Sequence, residues 1–184
     1  MKVRLAIALI VLAALTRLGL NFLPNPPHNF SPIAAIGLFG AAVFTRRWLA
    51  LALPFAALFL SDLIINNVLY SQFYQGFAWF TSVWIYLAFA GVMLVGRLML
   101  RDRIAAAPLV GASVAGSLLF FFVTNFSVWL ESGMYPKTGA GLMSCYVAGL
   151  PFLQNTMLGD LLFSSILFGA YAWLGSRQFA TGKA

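Results

Sequence analysis

The chain has little charge and almost no acid. Only 8% of its 184 residues are charged, and four aspartates and glutamates stand against eleven lysines and arginines. Soluble domains carry charge on roughly a quarter of their residues, so a water-exposed surface is excluded for most of this chain. One histidine and four acids leave little for acid–base catalysis. No Ser/His/Asp or Cys/His set has a catalytic spacing, no redox cofactor motif is present, and neither an enzyme nor a resident cofactor is expected. A single cysteine, Cys145, excludes an internal disulfide and any Cys-based zinc motif. The alternating segments of about ten residues that build a transmembrane β-barrel are also missing.

Apolar residues fill the chain instead. They make up 62% of it, with a mean hydropathy of +0.93. They gather in runs of roughly 17–25 residues, the length that crosses a hydrocarbon core. The fold class expected is an all-α polytopic membrane protein, one domain over 1–184, with six transmembrane helices. These are expected at about 4–21, 32–45, 48–66, 77–96, 104–130 and 151–175. Lys2 and Arg4 followed by LAIALIVLAAL have the form of a signal peptide. The apolar run continues past Arg17 to Leu20, however, and an uncleaved first helix completes an even helix count.

The connections are punctuated clearly. Loop 1, NFLPNPPHNFSP, holds prolines at 24, 26, 27 and 32 that forbid a continuous helix. The second helix is short and is expected to cross obliquely or only part of the way. Its Gly37/Ala41 pair permits close helix packing. Loop 2, NVLYSQFYQG, is uncharged and aromatic, as an interfacial segment is. A long loop is expected over 131–150.

Orientation follows from the basic residues. With the N-terminus inside, the inner face holds Lys2, Arg4, Arg46, Arg47, Arg97, Arg101, Arg103, Arg177 and Lys183, whereas the outer face keeps Arg17 and Lys137. Both termini are therefore expected in the cytoplasm, and the chain in the cytoplasmic (inner) membrane. The basic residues sit at the ends of apolar runs rather than in a soluble patch, so nucleic acid is not an expected partner. The lipid bilayer and a small-molecule ligand are.

On that topology the polar residues collect on the outer side, centred on the stretch from Asn125 to Asp160. Asn29, Asn67, Asn125 and Asn155 offer amides suited to a polar heterocycle in a dry pocket. Interhelical hydrogen bonding is an equally ordinary use of such amides. Trp84, Trp129, Tyr135 and Tyr146 have rings that stack on planar ligands or form an interfacial belt. Lys137, in YPKTGAG, can greet a carboxylate or phosphate, although the segment lacks P-loop spacing. Asp62 and Asp160 are costly at membrane depth and imply a cavity or a partner. They line the site, or Asp62 caps backbone and Asp160 pairs with Arg17 or a neighbouring amide. Cys145 and His28 are the candidate metal ligands, with a cofactor's metal centre as one target; a lone cysteine also serves as a small hydrophobe.

NFSPIAAIGLFGAAVF (29–44), SDLIINN (61–67), FFFVTNFSVWL (120–130) and YPKTGAGLMSCYVAGLPFLQNTMLGDLLFS (135–164) resemble a bacterial family of uncharacterised membrane proteins. That family is similar to the substrate-binding S components of energy-coupling-factor vitamin transporters. The resemblance covers nearly the whole chain. It implies six helices, cytoplasmic termini, and a vitamin-class ligand bound near the outer face by loops and helix ends. It also implies partnership with a coupling protein and ATPases, which engage an Ala-xxx-Ala pattern on the first helix. Here Ala6, Ala8, Ala13 and Ala14 are followed four positions on by Ile10, Leu12, Arg17 and Leu18, so the pattern is missing. A solitary transporter is then implied, as among cobalamin-transporting relatives in which a cysteine ligates cobalt. Cys145 is the candidate for that role, with the cobalt compound as cargo. A structural or assembly protein, without cargo, is the alternative.

Overall fold

The computed structural model describes residues 2–25, 27–101 and 104–180, with side chains as far as Ser176. Pro26, Arg103 and Lys183, and the side chain of Arg177, lie outside what it describes. The described residues are all-helical, without strands. Six α-helices follow one another: α1 (Lys2–Asn21), α2 (Ile33–Val43), α3 (Arg47–Ile64), α4 (Val83–Leu100), α5 (Ala106–Glu131) and α6 (Gly139–Ala180). A π-helical turn, Ile65–Leu69, prolongs α3, and a 3₁₀ turn, Ser71–Phe73, follows it.

Five of the helices, all but α2, are long and apolar enough to cross a membrane. Their outward surfaces agree with that. Leu12, Leu60, Leu94, Leu98 and Leu158 are each between 58% and 76% exposed, and such a girdle of large apolar side chains suits lipid rather than water.

Helix α2 is the hub. It has only 11 residues, about 16 Å at 1.5 Å per residue, and so spans about half a hydrocarbon core. Nine of its residues, Ala34 to Ala42, are buried, and every other α-helix touches it. A helix apolar all round belongs inside. Lipid supplies no hydrophobic drive to bring helices together, so close packing by small residues does it. Pro54 of α3 fits against Gly40, and Phe89 of α4 covers Gly37. Gly96 of α4 lies on the backbone of Leu38. Around this seam Phe39 packs edge-on against Phe168 and Tyr171 of α6.

Two helices begin away from their expected starts. Helix α4 starts at Val83 rather than near 77, where the Ser82 hydroxyl accepts from the Trp84 amide. Helix α6 starts at Gly139, so the second half of the expected 131–150 loop is helical. Thr138 caps it, its hydroxyl accepting from the Gly141 amide at 3.1 Å. Pro151 lies inside α6 without ending it. Gly141, Cys145 and Gly149 recur every four residues and are the buried face of this first part, which lies on α5.

Candidate functional site

One end of the bundle gathers the C-terminal ends of α1, α3 and α5 with the N-terminal ends of α2, α4 and α6. Most of the polar side chains lie there. The other end carries Arg4, Arg46, Arg47, Arg97 and Arg101.

At the polar end the centre is Asp62, 2% exposed on the last turn of α3. The Arg17 guanidinium of α1 donates to its Oδ1 at 2.8 Å and also to the Ser61 hydroxyl. The Tyr86 hydroxyl of α4 donates to Oδ2 at 3.2 Å, and Thr81 lies at 3.4 Å from the same oxygen. Asn66, on the π turn, donates to the Thr81 hydroxyl at 3.1 Å. A buried carboxylate is tolerated only when paired and hydrogen-bonded, and these groups supply both needs. The π turn matters because its wider winding lets adjacent asparagines do different work. Asn66 joins the Asp62 network, while Asn67 holds the Ala78 peptide by both of its polar groups, at 2.9 and 2.8 Å.

Two cavities open at this end. The larger, about 520 Å³, is walled by Arg17, Asp62, Asn66, Tyr70, Tyr74 and Thr81. The second, about 410 Å³, is walled by Phe120, Thr124, Asn125, Tyr135, Cys145 and Phe152. His28 and Asn29 of loop 1, with Ile85, line both. Loop 1 is therefore a partition between two hollows. It turns where the Phe30 amide donates to the Pro27 carbonyl, with Asn29 at φ +61°, a conformation asparagine tolerates better than most residues. Helix α6 holds the loop in place. Asn155 donates to the His28 carbonyl at 3.1 Å, and Phe163 meets Phe30 with ring centroids 5.4 Å apart.

The expected site residues divide accordingly. His28, Asn29, Asp62, Asn125, Tyr135 and Cys145 line the cavities. Asn67 and Asn155 instead fasten backbone. Trp84 donates to Glu131 at 2.6 Å, and Trp129 donates to the Pro136 carbonyl at 2.9 Å. Lys137 bonds the Trp129 carbonyl and sits over that indole, 5.5 Å from the ring centroid. Tyr146 donates to the Phe122 carbonyl at 3.1 Å. Asp160 lines neither hollow: it is buried in the middle of α6, where the Ser117 hydroxyl of α5 lies 2.6 Å from its Oδ2. Arg17 is thus bound to Asp62 and not to Asp160. His28 and Cys145 share one cavity, but the thiol is 2% exposed and lies 3.3 Å from the Asn125 carbonyl. Among the described residues no group of three His, Cys, Asp or Glu side chains is assembled that would hold a metal ion.

Sequence reasoning passed over Thr81, Ser31, Asn21 and Thr124. Small hydroxyl and amide residues at helix ends are common, and only the packing shows which of them face a hollow.

Five membrane-length helices around a buried sixth, with a divided hollow at one end, define an integral-membrane architecture. The chain belongs to a family of unknown function, DUF6580, whose model matches residues 1–181. No curated protein and no solved structure matches it.

Proposed function

We propose that this protein binds a vitamin-class small molecule at its polar end and carries it into the cell, in the manner of an S component. The polar end faces outward from the cytoplasmic membrane, with both termini inside. The observation that carries this reading is the pair of cavities sharing loop 1 as their common wall. Their volumes of about 520 and 410 Å³ fall in the range of small-molecule pockets. Apolar and aromatic walls with a few convergent amides and hydroxyls are what such a ligand needs. Arg17 and Asp62 neutralise each other, so the lining favours a ligand without net charge.

Helix α1 supports a solitary transporter. Its exposed face presents Val11, Leu12 and Leu15 rather than the small-residue stripe through which S components meet a coupling protein. A cobalamin cargo would need Cys145 to leave the Asn125 carbonyl and turn into the second cavity.

The test is thermal unfolding of the detergent-purified protein against vitamins, cobalamins and metal ions. A ligand at about 100 times its Kd adds about 2.7 kcal/mol to a reversible unfolder. One saturable hit, weakened by Asn125→Ala, is the expected result; a flat panel overturns the reading. A structural or assembly protein is the second reading. Asn67, Trp84, Trp129 and Asn155 favour it, since each spends its polar group on an internal bond.

A further inference from the structure

The opposite end of the bundle has a cavity of a different kind. The end of α2, the start of α3 and the last turns of α4 enclose about 410 Å³. Leu51, Ala90, Met93 and Leu94 make its wall apolar, and Arg47, Arg97 and Arg101 stand around it. The order of these residues along the helices is informative. Leu51 is one turn inward from Arg47 on α3, and Ala90 and Leu94 are two turns inward from Arg97 and Arg101 on α4. Charge therefore lies at the helix ends and the apolar wall deeper in the bundle. The cavity opens on the surface of the bundle, since Leu51 and Leu94 are more than half exposed.

The three arginines have no carboxylate partner among the described residues. Arg97 reaches only the carbonyls of Ala41 and Phe44, both at 3.4 Å. Of the four acids, Asp62 is held by Arg17, Glu131 by Trp84 and Asp160 by Ser117, all away from this cavity, and Asp102, next to Arg101 in the sequence, lies outside the described residues. Three cations without a carboxylate partner among the described residues, above an apolar slot, fit a molecule with an anionic head and a hydrocarbon tail. A free anion would leave the apolar wall unused, and a neutral lipid would leave the guanidinium groups unanswered. Basic pockets between helices at a membrane surface take anionic lipid headgroups for the same reason.

We propose that this cavity is a binding site for an anionic phospholipid. Arg47, Arg97 and Arg101 hold the phosphate-bearing headgroup, and an acyl chain lies along Leu51, Ala90 and Leu94.

Native mass spectrometry of the detergent-purified protein tests this, with phosphatidylglycerol and phosphatidylcholine of identical acyl chains and with inorganic phosphate alone. The expected result is one saturable phosphatidylglycerol adduct, and weaker, unsaturated binding of phosphatidylcholine. At roughly fivefold per arginine, Arg47→Gln with Arg101→Gln weakens the phosphatidylglycerol adduct by about 25-fold. Both side chains are exposed, so the fold does not depend on them. Ala90→Phe, also at an exposed position, fills the slot and weakens the adduct with every arginine intact, whereas Arg4→Gln leaves it unchanged. Equal binding of the two lipids overturns the proposal. So does an adduct unaffected by either the double variant or Ala90→Phe. Phosphate that binds alone and displaces the lipid marks a free-anion site and also overturns it.

Discussion

Arg17 on α1 and Asp62 on α3 form a 2.8 Å ion pair that ties the first and third helices at the polar end. Their side chains are 14% and 2% exposed, so neither is screened much by water. Removing one partner of a buried pair strands the other and costs about 3–5 kcal/mol. Arg17→Gln is expected to destabilise by that order. Arg17→Gln with Asp62→Asn is expected to lose less than the two single changes together, because paired amides can still hydrogen-bond. Denaturant unfolding in detergent over the full double-mutant cycle measures the coupling, and simple additivity would refute it.

The same pair bears on topology. Arg17 is neutralised by Asp62, and Lys137 is held against Trp129. Lys137 keeps its charge, since a carbonyl and an indole hold a cation without neutralising it, but most of the described arginines still lie at the other end, and that excess sets the expected orientation. Cys145 is the one cysteine, which makes a Cys145→Ser background suitable for labelling. In intact cells a membrane-impermeant maleimide is expected to label Ser132→Cys, between α5 and α6, and to leave Thr45→Cys, between α2 and α3, unlabelled. The reverse pattern would invert the proposed orientation.

Gly96 lets α4 lie on α2. A Cβ there would stand 2.8 Å from Leu38 Cα and 3.0 Å from its carbonyl oxygen. Backbone cannot swing aside as a side chain can, so Gly96→Ala is expected to cost about 1–3 kcal/mol, as overpacking does. Gly19 on α1 has nothing within 4 Å, and Gly19→Ala should stabilise by about 0.5–1 kcal/mol through helix propensity. Thermal unfolding of the two variants side by side decides between packing and propensity.

Gly149 sets the spacing behind the second cavity. A Cβ there would meet Asn125 Oδ1 at 2.5 Å and the Phe121 ring at 2.8 Å. Gly149→Ala is expected to displace Asn125 and abolish stabilisation by any ligand of that cavity, while the helical circular dichroism persists. Thr138→Ala, which removes the α6 cap, should cost about 1 kcal/mol and leave ligand stabilisation intact. Equal ligand effects in both variants would place the site elsewhere.

The residues that were legible in advance share one property: their signal is local. Prolines in loop 1 and the Arg46–Arg47 pair mark breaks by themselves, and so do the apolar runs between them. Helix α6 misleads for the same reason. Gly149 and Pro151 read locally as a helix start, yet α6 runs through them from a cap at Thr138. Glycine there serves close packing on α5, and transmembrane helices tolerate proline where neighbours re-satisfy the backbone. The acids divide in the same way. Scarcity of charge singled out both Asp62 and Asp160, but helix length and hydropathy carry no information on which helix neighbours which. Arg17 could therefore be offered to Asp160 when its partner is Asp62.

By itself the sequence determined the helical class, the membrane-length spans, the breaks between them and the unequal distribution of positive charge. Each follows from composition or from short-range backbone chemistry. Tertiary structure alone decided that the shortest helix is the hub, because burial on all sides depends on what surrounds α2. It also decided that loop 1 stands between two hollows and that three arginines from two helices surround one apolar slot. Those relations join residues from separate helices, and only the packing of one helix on another sets them.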